Sequence, residues 1–294
     1  MAAYWPAARS PARGHEAATL KAAAGRSLMN ATTSDSQLVT VFTITYRQRD
    51  KVLQLIEDLA LLDYPADRFE VVVLVDDGGD GTFDAVRSAS ANTPYPLKSL
   101  LREHEADYLN AKRWNECIAA ADPSSEVFIQ VDDVRVRPDF LRQHLKWHQQ
   151  ADTIVTGAKF EGDEPTWDLA ACRRSHLAGP GGEARPASAW TAAWGASLSY
   201  PRRLVEAVTA RPFDLPFDER MTGWGLHEVE MVYRMTLAGG TLVYDPAAGV
   251  FHQNHTATSE AARGIDRARV VEDGYRRNEK YVCAKHDLDK LPRW

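Results

Sequence analysis

The sequence is short of the features that mark several large classes of protein. It has only three cysteines in 294 residues, Cys117, Cys172 and Cys283, too few and too widely spaced for a disulfide framework or a zinc pattern. That scarcity points to a reducing compartment, with the thiols in the core. Positive charge is not in excess: the formal net charge is −6, so nucleic acid is not expected as a partner, since nothing offsets its phosphates. No apolar run approaches the length needed to cross a bilayer. No transmembrane segment is therefore expected, and the chain reads as cytoplasmic, with peripheral membrane contact as a second option. No Gly-x-Gly-x-x-Gly loop follows the first strand signal, which argues against a dinucleotide oxidoreductase.

What is present suffices for a large core, since 44% of the residues are hydrophobic. Residues 1–36 are rich in Ala, Ser and Arg without a sustained apolar period, and are expected to form a disordered leader. From Gln37 onward strand and helix signals alternate. Residues 38–45 form a β-branched run, and Val52, Leu55, Ile56 and Leu59 follow at helical spacing. Residues 69–75 are almost continuously apolar, as in a parallel strand covered on both faces. A short helix from about Thr82, a helix carrying Ala111, Cys117 and Ile118, and a strand over residues 127–131 complete the pattern. The fold expected is α/β, a mostly parallel central sheet with right-handed crossovers.

Ligands of such sheets sit beyond the carboxyl ends of the strands, so the polar residues at those ends are the informative ones. They are Thr45-Tyr46-Arg47, then Asp76-Asp77-Gly78-Gly79, then Asp132-Asp133. Paired acids at buried strand ends repel and protonate unless a cation or hydrogen-bond donors offset them. A hard divalent cation held by oxygen ligands explains at least one pair. Asp76-Asp77 also reads as a turn; Asp132-Asp133 carries no turn signal. Further on, Gly223-Trp224-Gly225 precedes a helix with Glu228 and Glu230 in its first turn, where acids complement the helix dipole. Leu226, Val229, Tyr233 and Leu237 mark one face of that helix, and Glu230 is placed to pair with Arg234.

These motifs, five in order over about 200 residues, resemble the family 2 glycosyltransferases of the GT-A fold, a Rossmann-like α/β/α sandwich. The match runs over residues 39–255. It includes Phe217-Asp218-Glu219-Arg220 and Phe251-His252-Gln253-Asn254-His255. The resemblance implies residues 37–258 as the transferase domain, with a nucleotide half (37–139) and an acceptor and catalytic half (140–258). Residues 259–294 then form a charged, helical C-terminal tail. It implies transfer of a sugar from a nucleotide-diphosphate donor, a UDP-sugar by default, to an acceptor hydroxyl with inversion, assisted by Mn2+ or Mg2+. The acceptor class stays open among sugars, lipid-linked sugars and small molecules.

Carried over residue by residue, the resemblance makes Asp133 and His252 metal ligands and Asp132 a ribose or metal contact. Asp76 binds the base, Tyr46 stacks on it, and Thr45 and Arg47 flank them. Lys112 or Arg113 meets the phosphates or lies on a solvated helix face. Glu228 takes the place of the catalytic base, with His227 as its rival, and Trp224 and Trp190 face the acceptor. Departures from the family pattern are Arg47 in place of Asn, Val131 in place of a first Asp, Arg135 close behind the acids, and His227-Glu228 in place of Glu-Asp. They support an alternative, a weak or inactive domain that binds nucleotide sugar or glycan. Residues 161–189, rich in Gly, Pro and Arg, are expected to form a long loop, with Trp167, Trp190 and Trp194 as sugar platforms or core.

Overall fold

A computed structural model of the chain describes residues 35–105, 108–149, 152–172, 174–211, 214–253 and 267–293. The expected leader, apart from its last two residues, lies outside them, as do Asn254 and His255 of the last motif. Strands β1 (Val39–Thr45), β2 (Phe69–Asp77), β3 (Leu97–Glu103) and β4 (Val127–Val131) are parallel in the order β3-β2-β1-β4. They are joined by helices α1 (Arg49–Ala60), α2 (Thr82–Ala89) and α3 (Asn110–Ala120). Beyond a short β5 (Val134–Arg135) and helix α4 (Phe140–Leu145) come β6 (Thr153–Gly162), a two-residue β7 (Arg185–Pro186) and β8 (Ser197–Pro201). Helices α5 (Arg202–Val208) and α6 (His227–Leu237), strand β9 (Thr241–Gln253) and helix α7 (Arg267–His286) follow. The sheet continues β4-β8-β6-β9-β5, with β8 antiparallel to both neighbours and β7 on the far side of β9.

The period of two along each strand explains the two cores. Val39, Val41, Val71, Val73, Val127 and Ile129 point to one face, against Leu55, Ile56 and Leu59 of α1 and Phe140 and Leu145 of α4. Phe42, Val72, Leu74 and Phe128 point to the other, against Trp114 and Cys117 of α3 and Met231, Val232 and Met235 of α6. Leu237, expected on the buried face of α6, is instead 69% exposed, because the helix ends there and the chain turns away at Gly239. No described helix is long and apolar enough to cross a membrane.

The C-terminal helix α7 is built into the domain. Buried Glu230 accepts from Arg234 at 2.8 and 2.9 Å, as its spacing predicts, and also from Lys285 at 2.6 Å and His286 at 2.9 Å. Asp218, of the Phe217-Asp218-Glu219-Arg220 motif, accepts from Tyr281 and Lys285, both at 2.7 Å. Burial alone would raise the Glu230 carboxyl, but the bonds from His286 and Arg234 outweigh it and hold it at about 2. A group depressed in the folded state contributes stability above its unfolded value and loses it as the pH falls toward the folded one. Docking of α7 should therefore weaken between about pH 4.5 and 2, a change on the order of 3 kcal/mol. Urea unfolding at pH 6 and pH 3 checks this: Glu230→Gln should flatten the dependence.

Candidate active site

The carboxyl ends of β1, β2 and β4, the start of α6, one face of α7 (Val271, Tyr275 and Glu279) and the segment after it (residues 291–293) border one cleft of about 1340 Å³. On its β2 side the strand alternation separates the acidic pair. Asp76 faces the cleft, accepting from Arg113 Nη2 at 3.3 Å and pairing with His104 Nδ1 at 2.9 Å. Asp77 turns out, and its Oδ1 accepts the Gly79 N–H at 2.8 Å, closing the turn. The Tyr46 ring stacks on His104, centroids 4.0 Å apart and planes within 14°. Thr45 lies beside them, and its buried Oγ1 has no partner among the described residues.

Of the predicted phosphate contacts, Arg113 is in the cleft wall but buried and tied to Asp76 and the Glu103 carbonyl. Lys112 pairs with Glu105 at 3.1 Å and does not border the cleft. Arg47 does not border it either: with φ 52° it bends back so that its Nε donates to the Gly78 carbonyl at 3.1 Å.

Beyond β4 both members of the second acidic pair border the cleft, in different surroundings. Asp133 Oδ2 lies 2.9 Å from Lys51 Nζ and its Oδ1 lies 3.5 Å from His252 Nε2. The pairing of β5 with β9, Val134 opposite His252, brings that imidazole alongside. Burial would raise the Asp133 carboxyl, yet hydrogen bonds from His252 and Lys51 hold it well below the usual range. Asp132 is pushed up to about 7 by burial, then by Asp133 and Glu228. No three His, Cys, Asp or Glu among the described residues are disposed to hold an ion alone. A carboxylate and an imidazole nevertheless fit a divalent cation that takes its remaining ligands from a bound diphosphate and water.

At the start of α6 three left-handed residues within four positions aim the helix. Gly223 and Gly225 have φ 81° and 94°, and Leu226 follows at 69°. The turn sends Glu228 into the cleft, where its Oε1 accepts from buried Gln130 Nε2 of β4 at 3.0 Å. Gly195 leaves room for that carboxylate: a Cβ there would run into it and into the Gln130 amide. His227 is 1% exposed, bonded through Nε2 to the Met221 carbonyl at 3.2 Å, and burial lowers its pKa. It is packed against the turn, and it too borders the cleft.

Of the two expected acceptor contacts, Trp224 borders the cleft but Trp190 does not. Trp190 packs on Tyr233 at 4.7 Å, inside the segment that follows the long loop. Trp194 borders it instead, its ring covered by Arg174 at 3.8 Å and Lys159 at 5.0 Å. Trp167 packs on Phe160, outside the cleft. Arg135, which had suggested an altered site, bonds twice to Asp58 at 2.6 and 2.8 Å and does not border the cleft. Sequence reasoning missed His104, Lys51 and Gln130. His104 follows directly on β3, so the strand-end rule would have found it had β3 shown a clearer signal; its residues, Leu-Lys-Ser-Leu-Leu-Arg-Glu, do not alternate.

No protein-family model and no curated protein sequence matches the chain. Solved structures do. The mannosyltransferase PcManGT from Pyrobaculum calidifontis, in complex with GDP-Man and Mn2+, is 18% identical with a TM-score of 0.62, over 90% of this chain and 68% of its own. GalNAc-T7 with UDP, GalNAc and Mn2+ is 13% identical with a TM-score of 0.57, over 75% and 44%. S. aureus TarS 1–349 in complex with UDP-GlcNAc is 15% identical with a TM-score of 0.52, over 75% and 60%. The last two extend well beyond the part that this chain spans. The chain has the GT-A glycosyltransferase fold.

Proposed function

We propose that the protein is a glycosyltransferase of the family 2 kind. It moves a sugar from a nucleotide-diphosphate donor to an acceptor hydroxyl with inversion, assisted by a divalent cation. The observation that carries this reading is the meeting of Glu228 with Asp132, Asp133 and His252 in one cleft, whose far end holds Asp76 and Tyr46. The GT-A relatives in complex with GDP-Man and Mn2+, and with UDP, GalNAc and Mn2+, support the donor class and the cation.

In this reading Asp76 and the Tyr46–His104 stack hold the nucleoside, and the buried Thr45 hydroxyl gains a partner there. Asp133 and His252 would hold the cation, whose charge offsets that of the leaving diphosphate. The acceptor oxygen forms its bond to the anomeric carbon as the bond to the diphosphate oxygen breaks. That electron pair leaves with the phosphate, and Glu228 takes the hydroxyl proton. Gln130 fixes the direction of the Glu228 carboxylate. Uridine is the default base, with guanosine and thymidine the alternatives.

Incubation with Mn2+ and a panel of UDP-, GDP- and dTDP-sugars tests the reading: slow release of free sugar from one donor class is expected. Release from none would favour a non-catalytic binding module, for which the observation in hand is Lys51, an ammonium already paired with Asp133. Asp76→Ala should weaken binding of the matching nucleoside diphosphate by about 1–3 kcal/mol, the cost of leaving a buried donor unsatisfied. Unchanged affinity by calorimetry would confine Asp76 to a structural role.

A further inference from the structure

The most exposed large apolar side chains among the described residues are four leucines and three aromatics. Leu61, Leu101, Leu215 and Leu237 lie apart from the cleft, and single exposed leucines need no explanation. Tyr108, Trp224 and Tyr275 are 41%, 39% and 38% exposed, and all three border the cleft. Convergence of exposed aromatic faces on one concavity is a mark of ligand binding.

Their placement is fixed by a hydrogen-bonded frame. The Gly223 N–H donates to the Tyr108 carbonyl at 2.9 Å, which ties the first aromatic to the Gly-Trp-Gly turn. On the other side α7 lies flat on the same turn. Arg277 donates to the Thr222 carbonyl at 2.6 Å, and the buried Asn278 amide donates to the Gly225 carbonyl at 2.8 Å. Gly274 sits in mid-helix, where glycine costs about 1 kcal/mol relative to alanine. The approach requires it: a Cβ at that position would lie 2.5 Å from the Trp224 backbone nitrogen. Tyr275, next in sequence, therefore stands beside Gly225 and Trp224.

We propose that Tyr108, Trp224 and Tyr275 form an acceptor platform, that α7 is its specificity-determining wall, and that the acceptor is a saccharide. The inference rests on the transferase reading above and names its acceptor class. One face of a pyranose is a sheet of C–H groups that suits a flat aromatic surface, while its hydroxyls need polar neighbours at the rim. Glu279 of α7 and Arg293, past the end of that helix, both border the cleft and supply these. A long-chain lipid carrier would call for a continuous exposed aliphatic groove, whereas the exposed leucines lie elsewhere and Leu226, Val229 and Leu291, which border the cleft, are buried.

Saturation-transfer NMR on the full chain, with maltose, cellobiose, lactose and chitobiose, each alongside Mn2+ and UDP or GDP, tests the proposal. At least one disaccharide should receive saturation, strongest on the protons of one ring face. Tyr275→Ala should weaken that binding about tenfold, the scale of one lost aromatic contact, while Tyr275→Phe keeps it. In turnover with that disaccharide, Tyr275→Ala should raise the acceptor KM more than it lowers kcat, and raise the ratio of donor hydrolysis to transfer. No signal from any of the four, equal binding by Tyr275→Ala, or equal loss in Tyr275→Phe would overturn it. Failure of the transferase reading would show differently: no donor is hydrolysed, yet saccharide binding still depends on the Tyr275 ring.

Discussion

Glu228→Gln is expected to lower sugar transfer by at least two orders of magnitude and leave nucleoside diphosphate binding nearly unchanged. An acceptor hydroxyl holds its proton far above neutral pH, so the proton must depart as the oxygen bonds to the anomeric carbon. A carboxylate within reach typically contributes about 10²–10⁴-fold to such a step. In the proposed reading Glu228 is that carboxylate: it enters the cleft from the first turn of α6 and is steered by Gln130 at 3.0 Å. The amide of Gln fills the same space without accepting the proton. His227 is the control, since it is buried on the Met221 carbonyl and burial disfavours its charged form. His227→Ala should cost stability more than rate. Single-turnover rates on folded variants decide the matter: a rate defect in His227→Ala with none in Glu228→Gln would reverse the roles.

Asp133→Ala is the second large effect. It should abolish transfer, by about three orders of magnitude or more, because offsetting the charge of a leaving diphosphate is worth several kcal/mol. The variant should also lose the Mn2+-dependent part of UDP or GDP binding, read by calorimetry with and without the cation. The fold should survive, as the sheet and both apolar cores lie below the cleft. Full wild-type activity in excess EDTA would overturn metal assistance altogether.

The effects fall on residues that sequence reading selects, and the reason is physical. Buried parallel strands leave few polar positions, and those at their carboxyl ends stand out against the apolar runs before them. The β-branched run at β1, the apolar run at β2 and the two acidic pairs were legible on that ground, as were the turn and first acids of α6. Strand β3 was not, because an edge strand of mixed charge and leucine carries no period, and His104 was lost with it. Leu237 was misplaced because periodicity does not report where a helix end leaves the core. Trp190 and Trp194 could not be told apart in a segment without a repeating pattern, where each turn is set by distant contacts.

The sequence by itself determined the α/β class, the strand ends that border the cleft, and the helix that presents Glu228 to it. The tertiary structure decided that Asp76 alone of the first acidic pair borders the cleft while both members of the second do, and which partners wait there: Arg113 and His104 for Asp76, Lys51 and His252 for Asp133. It also converted a charged tail into a wall of the site. Nothing local to residues 267–293 specifies that outcome. It comes from Glu230 and Asp218, two buried carboxylates about 50 to 70 residues upstream that need cationic partners in the core, and from a glycine that lets the helix lie against Trp224.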